Sequence, residues 1–382
     1  MPEIRKGQIN ISALFLLLYM GLASWLVFFN LYLEEKSFTG TEIGIINGIL
    51  QGTLFFVVPV WGIFGDKFGI NKILRIAIVG SSIFLFFFQT LEGFYAVIFY
   101  MLPFSFFLHP LGPLQDSMAV NFVRENNTSS FGEFRVWGSV GWAIASFTLG
   151  YFISEENIDA IFIIAPLVLL SMLFFITPKN EVRNKKKLSE VKLEQFKILL
   201  KNKSLVLFCI IIFIYGIFLS PMNLFINLYF KEIGADFQLV GLAFTVQCFA
   251  EIPLFFLGIK IVRKLGAANS ILISIMVTII RVILYSQISD PSVAIFVGLG
   301  QGFTLSLFLV AVVEYVHDMV PTNLRATGQS LIWAFHFGAG ITVGNIIIGY
   351  LYEVIGMQAV MKYDILFITF ILILLYWYFK KR

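Results

Sequence analysis

Long apolar runs follow one another along the chain, separated by short polar breaks that hold nearly all of its charge. A bilayer-spanning helix needs about 20 mostly apolar residues, and the runs have that length. Their pattern predicts spans near 9–33, 41–64, 72–91, 94–123, 132–153 and 157–177, then 204–230, 237–261, 268–286, 291–316, 323–349 and 357–379. One long charged segment, 178–203, divides the two sets of six. Within it Leu188, Val191, Phe196 and Leu199 recur at roughly helical spacing, which predicts a short amphipathic helix on the membrane surface. The expected fold class is an all-α polytopic membrane protein with 12 transmembrane helices in two pseudo-symmetric six-helix bundles. The bundles are 1–177 and 204–382, with 178–203 as a cytoplasmic linker.

Composition supports that solvent. Apolar residues make up 59% of the 382 and charged residues 13%, against roughly a quarter charged in soluble domains. Arg5 and Lys6 precede a first run too long for the roughly 7–15 residues of a signal-peptide core. No small-residue cleavage site follows, so the run is expected to be the first span. Cys209 and Cys248 both fall within spans, where two reduced thiols are expected rather than a disulfide or a metal site. The net charge of +4 follows the loops and forms no basic face, which argues against a nucleic-acid partner.

Orientation follows from the same loops. With both termini inside, the inner segments carry 22 of the 27 lysines and arginines, and the outer loops carry only Lys36, Lys231 and Lys362. The other two, Arg135 and Arg281, lie within spans. The positive-inside rule therefore places both ends in the cytoplasm of a plasma or inner membrane.

Two stretches carry a resemblance. GIFGDKFGINK, residues 62–72, resembles the loop signature of the major facilitator superfamily, with a weak internal echo in RKLGA at 263–267. Gly65 and Gly69 suit close helix approach and a sharp turn, and Asp66 and Lys67 supply charge at the inner mouth. The resemblance implies that these four residues form a cytoplasmic gate that steadies the outward-open state. Ile70 and Asn71 stand where the family has basic residues.

The second stretch, FGEFRVWGSVGWAI at 131–144, is similar to the fifth span of the lactose and phenylpropionate permease branch. That similarity implies that Arg135 grips substrate and pairs with a fourth-span carboxylate, here Asp116, and that Trp142 stacks on a sugar ring. AEIPLFFLG and TIIRVIL further resemble the branch's eighth-span acid and ninth-span arginine, here Glu251 and Arg281. The branch's titratable pair on the tenth span is replaced by Gln301 and Thr304, which do not titrate.

Depth sharpens the case for the second pair. Glu251 lies 12 residues from Arg263, about 18 Å at the helical rise. Arg281 lies 17 residues from Lys264, about 26 Å on the same rise. Both sit well inside the membrane, where a lone charge costs about 2.5–3.5 kcal/mol, so a Glu251–Arg281 contact is expected. Intramembrane ionisable groups mark substrate or proton paths by default. Asn223 and Asn227, a turn apart on the seventh span beyond a break at Pro221, are further candidates for the path.

The residues together predict a secondary active transporter: proton-coupled symport of a small polar organic solute, a sugar or nucleoside, by alternating access. Substrate contacts are expected from Asp116, Arg135, Trp142, Glu251, Arg281, Gln301, Asn223 and Asn227, and the coupled proton on Glu251 or Asp116. Uptake of an aromatic acid, efflux of drugs or metabolites, and a receptor-like protein that moves nothing remain open. No catalytic group, cofactor or metal is expected, and the partners are the solute, protons and the lipid bilayer around a monomer.

Overall fold

In the computed structural model the described residues, 2–126, 131–176, 198–321 and 324–381, form helices joined by short turns. They are α1 (Pro2–Glu35), α2 (Gly40–Phe68), α3 (Ile70–Phe87), α4 (Phe94–Asn126), α5 (Phe131–Phe152) and α6 (Ile161–Ser171) in the first half. The second half has α7 (Lys203–Asn223), α8 (Phe237–Leu265), α9 (Ala267–Gln287), α10 (Pro291–Met319), α11 (Thr327–Ile355) and α12 (Met357–Lys380). Eleven of these segments, with α6 extended by its flanking turns, are long and apolar enough to cross a membrane. The exception is α5, in which Glu133, Arg135 and several small residues dilute the apolar content. It packs on α1 and on α8, so much of it faces protein. The amphipathic helix expected over 188–199 falls almost entirely outside the described residues.

Turn chemistry explains the boundaries. Thr39 opens α2 with a capping box, its hydroxyl accepting from the Glu42 N–H while Glu42 accepts from the Thr39 N–H. Asp236 caps α8 and Asp290 caps α10. Gly69 joins α2 to α3 at φ 91°, and Gly266 joins α8 to α9 at φ 85°. The two turns of the sequence echo thus share one glycine-requiring conformation.

The halves meet at two symmetry-related crossings, α2 on α11 and α5 on α8. Gly40, Gly44, Gly48 and Gly52 recur every fourth residue on α2, and a Cβ on any of them would press on α11. At the other crossing Gly150 and Gly241 face each other. Small residues of this kind let helix backbones approach closely in lipid.

Several helices are irregular. α4 kinks at His109–Pro110. α10 tightens over Gly298–Gly300 and widens over Gly302–Leu307, and α11 widens over Ala334–Gly340. The seventh span breaks at Leu224–Phe225 and resumes as a short helix, Ile226–Glu232. Pro221 itself stays helical, so the break falls three residues later than the sequence suggested. There the Leu228 N–H turns to the Asn227 side chain at 2.9 Å, and the freed Leu224 carbonyl accepts from the Asn30 amide at 2.5 Å.

That exchange belongs to a seal between the halves. Asn227 also donates to the Val27 carbonyl at 2.9 Å, and Asn47 donates to Asn30 at 2.7 Å. Further out, Lys231 is ion-paired with Glu35 and with Glu34 at 3.1 Å, Tyr352 donates to Glu34 at 2.6 Å, and the Thr41 N–H donates to Glu353 at 2.8 Å. Burial lowers the proton affinity of the Lys231 ammonium, but the two glutamates outweigh it and raise its pKa above the ordinary lysine value. These bonds close the molecule at the face bearing Lys36 and Lys231. At the opposite face, which bears the termini, Asp66 and Lys67 are exposed.

Removing this seal should open the Lys36 face. Lys231→Met loses two half-exposed ion pairs, each worth about 0.2–1 kcal/mol. Asn30→Ala leaves the Leu224 carbonyl unpartnered, at about 1–3 kcal/mol. Both variants should label several-fold faster at the cavity thiol Cys248 with an impermeant maleimide added from the Lys36 face. Wild-type labelling rates in both would show that the seal rests on other contacts.

Candidate functional site

Beneath the seal, between the halves, lies a cavity of about 330 Å³. Its first-half wall includes Tyr19 on α1, Gln51 on α2, and Arg135 and Trp142 on α5. Its second-half wall includes Asn223 on α7, Gln247, Cys248 and Glu251 on α8, Gln301 on α10 and Phe337 on α11. Ring faces and amide groups dominate, with one guanidinium and one carboxyl among them. That mixture matches the general pattern of an apolar pocket with a few convergent polar groups.

Arg135 and Trp142 sit two turns apart on one face of α5, so both reach the cavity. The Arg135 guanidinium lies over the Tyr19 ring, 4.3 Å from its centroid, with the Phe255 ring at 5.8 Å. Gly138 makes this possible, because a Cβ there would collide with both Tyr19 and Arg135. Neither Asp116 nor Glu251 forms an ion pair with a described residue. Asp116 lies outside the cavity lining, with Oδ1 enclosed and unpartnered. The expected Arg135–Asp116 pair is therefore not made in this conformation, since the guanidinium is drawn to the Tyr19 face instead.

Arg281 also departs from expectation. It does not line the cavity, being 3% exposed behind α10. Its guanidinium donates to Gln301 Oε1 at 2.7 Å, to Thr304 Oγ1 at 2.6 Å and to the Val297 carbonyl at 3.2 Å. Gly300 leaves room for the arginine stem. Gln301 therefore stands between Arg281 and Glu251. Arginine is donor-only, so it fixes the glutamine oxygen toward itself and turns the amide N–H groups toward the Glu251 carboxyl. The two residues that replace titratable groups on the tenth span are thus the ones that hold the buried arginine.

Asn223 lines the cavity, whereas Asn227, one turn on, is spent in the seal. The break at Leu224 separates them and re-aims the second side chain. Gly65 is buried against Leu114 and Gly69 makes the α2–α3 turn, so both serve packing and turning at the terminus face. His109 bonds the Leu50 carbonyl at 2.6 Å, and His336 bonds the Ile212 carbonyl at 3.0 Å, each as a packing histidine.

Tyr19, Gln51 and Gln247 in the cavity, and Asn30 and Asn47 in the seal, are candidate functional positions with no charge to mark them in the sequence. One signal was available. Asn47 and Gln51 are four apart on the second span, and Gln247 and Glu251 are four apart on the eighth, so each pair shares a helix face.

A family model, the MFS_1 like family, matches residues 8–363. The chain belongs to that family of the major facilitator superfamily. It is a membrane transporter by membership, and the relatives it matches are transporters rather than enzymes. An uncharacterised transporter of Bacillus subtilis, YwbF, is 25% identical over 94% of this chain and 90% of its own length. A maltose permease of Geobacillus stearothermophilus is 23% identical over 89% of this chain and 86% of its own. Among solved structures, the nucleoside transporter NupG superposes with a TM-score of 0.86 over 98% of this chain and 99% of its own, at 19% identity. That likeness establishes the major facilitator fold.

The grip on Arg281 gives a stability test. A hydrogen bond to a charged group is worth about 1.5–3 kcal/mol, so Thr304→Val should lower stability by that amount in thermal unfolding of the detergent-solubilised chain. Ser306→Ala, which removes only a neutral bond to the Glu251 carbonyl, should cost about 0.5–1.5 kcal/mol. Equal losses would mean that Arg281 does not depend on Thr304.

Proposed function

We propose that the protein imports a small neutral polar solute, a sugar or nucleoside, in symport with a proton, and that the cavity between the halves is its binding site. The observation that carries this reading is the content of that cavity. Amides from both halves (Gln51, Asn223, Gln247 and Gln301) surround a space flanked by Tyr19, Trp142, Phe244 and Phe337. Amides suit the hydroxyls and ring heteroatoms of such a solute, and aromatic faces suit its planar or ring body. The named maltose and nucleoside relatives support the same class.

The charge balance argues against an aromatic acid. Arg281 is taken up by Gln301, Thr304 and Val297. An anionic solute would therefore meet one arginine offset by one glutamate.

Arg135 grips solute oxygens through its planar fork, which lysine cannot copy. Glu251 carries the proton. Ionised, it accepts from the Gln301 amide, which relays the charge of Arg281. Protonated, it loses that demand and frees Gln301 for the solute. Asp116, enclosed on the neighbouring face, is the second candidate carrier. With both termini in the cytoplasm, the sealed Lys36 face is the outer one.

Glu251→Gln mimics the permanently protonated state. It should retain solute exchange across proteoliposomes yet lose accumulation against a gradient when a pH difference is imposed. Asp116→Asn, the control, should still accumulate. Trp142→Phe should weaken solute binding less than Trp142→Ala. If Glu251→Gln concentrates solute as the wild type does, the glutamate carries no proton.

A further inference from the structure

A second concavity lies on the outside of the first half, at the terminus face. It is a groove of about 730 Å³ between α1 and a wall made by α5 and α6. One face of α1 forms its floor, with Arg5, Gln8 and Ser12 toward the helix start and Ala13, Leu16 and Leu17 deeper. Trp137, Ser171 and Phe175 form the facing wall.

The groove is polar and cationic at its outer end and apolar below. Arg5 and Lys6 are exposed beside the mouth. Arg75 donates to the Ile176 carbonyl at 2.8 Å and so fixes where the chain leaves the far wall. Arg5 and Lys6 thus put positive charge at one end of a groove that no part of the described chain fills.

Its length also fits one leaflet. From Arg5 to Leu16 is 11 residues along α1, about 17 Å at the helical rise, a little over half of the roughly 30 Å hydrocarbon core. Trp137 is 43% exposed, and tryptophan favours the boundary between headgroups and chains.

We propose that this groove binds an anionic phospholipid of the leaflet on the terminus side. Arg5 holds the phosphate, and one acyl chain lies between α1 and the α5–α6 wall, against Leu16, Trp137 and Phe175. The site is separate from the transport cavity, so the proposal stands whatever solute the cavity takes. A lipid seated there braces α1 against α5, the helix that carries Arg135 and Trp142.

The full chain would be placed in phosphatidylcholine nanodiscs doped with phosphatidylglycerol bearing a diazirine in its acyl chain, and the cross-linked residues mapped. Cross-links should concentrate on Leu16, Trp137 and Phe175, and unlabelled phosphatidylglycerol should compete where phosphatidylcholine does not. Arg5→Gln should lower the yield about fivefold, the effect of one cation at an anionic surface. Ala13→Trp, which fills the groove and leaves the charge in place, should remove the cross-links to Phe175. Three results would overturn the proposal: equal yield from a phosphatidylcholine probe, cross-links as dense on Phe99 and Phe367 as in the groove, or wild-type yield in either variant.

Discussion

Lipid offers no hydrophobic force to drive one helix onto another, so helices in a membrane associate by close packing and by hydrogen bonds. The two halves of this protein meet that constraint at the α2–α11 and α5–α8 crossings, where glycines bring backbone against backbone. The second span of each half lies against the fifth span of the other, so the crossings stand as two posts on either side of the central axis. The cavity is the space between them, and the helices that make the posts supply much of its wall. α5 contributes Arg135 and Trp142, α8 contributes Gln247 and Glu251, and α2 contributes Gln51. A bulkier residue in the α2 stripe would change the spacing of the posts and the width of the cavity together.

The buried charges are arranged so that none depends on a close ion pair. Arg281 donates from Nη1 and Nε to two side-chain oxygens and a carbonyl, all uncharged, while its buried Nη2 has no hydrogen-bond partner among the described residues. Arg135 rests on an aromatic face. Glu251 accepts from the Gln301 amide and feels the Arg135 charge in the same cavity without a close ion pair. A tight Glu251–Arg281 pair would be hard to break, since parting a buried pair costs about 3–5 kcal/mol. An intervening glutamine can transmit the arginine's charge while leaving the carboxyl open to change its partner. This is the physical sense of glutamine and threonine standing where related permeases have titrating groups.

Much of this was legible in the sequence because apolar run length and loop charge are strong one-dimensional signals. The span pattern, the echo of Gly69 in Gly266 and the depth of Glu251 follow from spacing, while Arg135, Trp142 and Gln301 are placed by resemblance to the permease branch. Contacts across the cavity did not follow, because depth gives height in the membrane but not azimuth. Arg281 and Glu251 both lie deep in the membrane, yet α10 interposes Gln301. Asn223 and Asn227 share a helix face only if the helix is continuous, and the break at Leu224 separates them. Asp116 was assigned to Arg135 by resemblance, and the competing partner, Tyr19, is an aromatic residue with nothing unusual about its place in an apolar run.

The seal at the Lys36 face shows how strong such a closure has to be. Moving a two-state equilibrium from 1:99 to 99:1 takes about 5.5 kcal/mol of differential binding, so a solute and a proton can reverse only a closure of a few kcal/mol. A seal of fully buried ion pairs would exceed that. Here the outer contacts are partly exposed glutamates around Lys231, with side chains 33% and 28% accessible in the Lys231–Glu34 pair, and such pairs contribute about 0.2–1 kcal/mol each. The inner contacts are neutral amides, at about 0.5–1.5 kcal/mol each. Asn30 can release the Leu224 carbonyl if the broken helix closes and the Leu228 N–H returns to it, so opening need not strand a polar group. The break in the seventh span therefore allows the seal to be made and unmade at a cost that transport can meet.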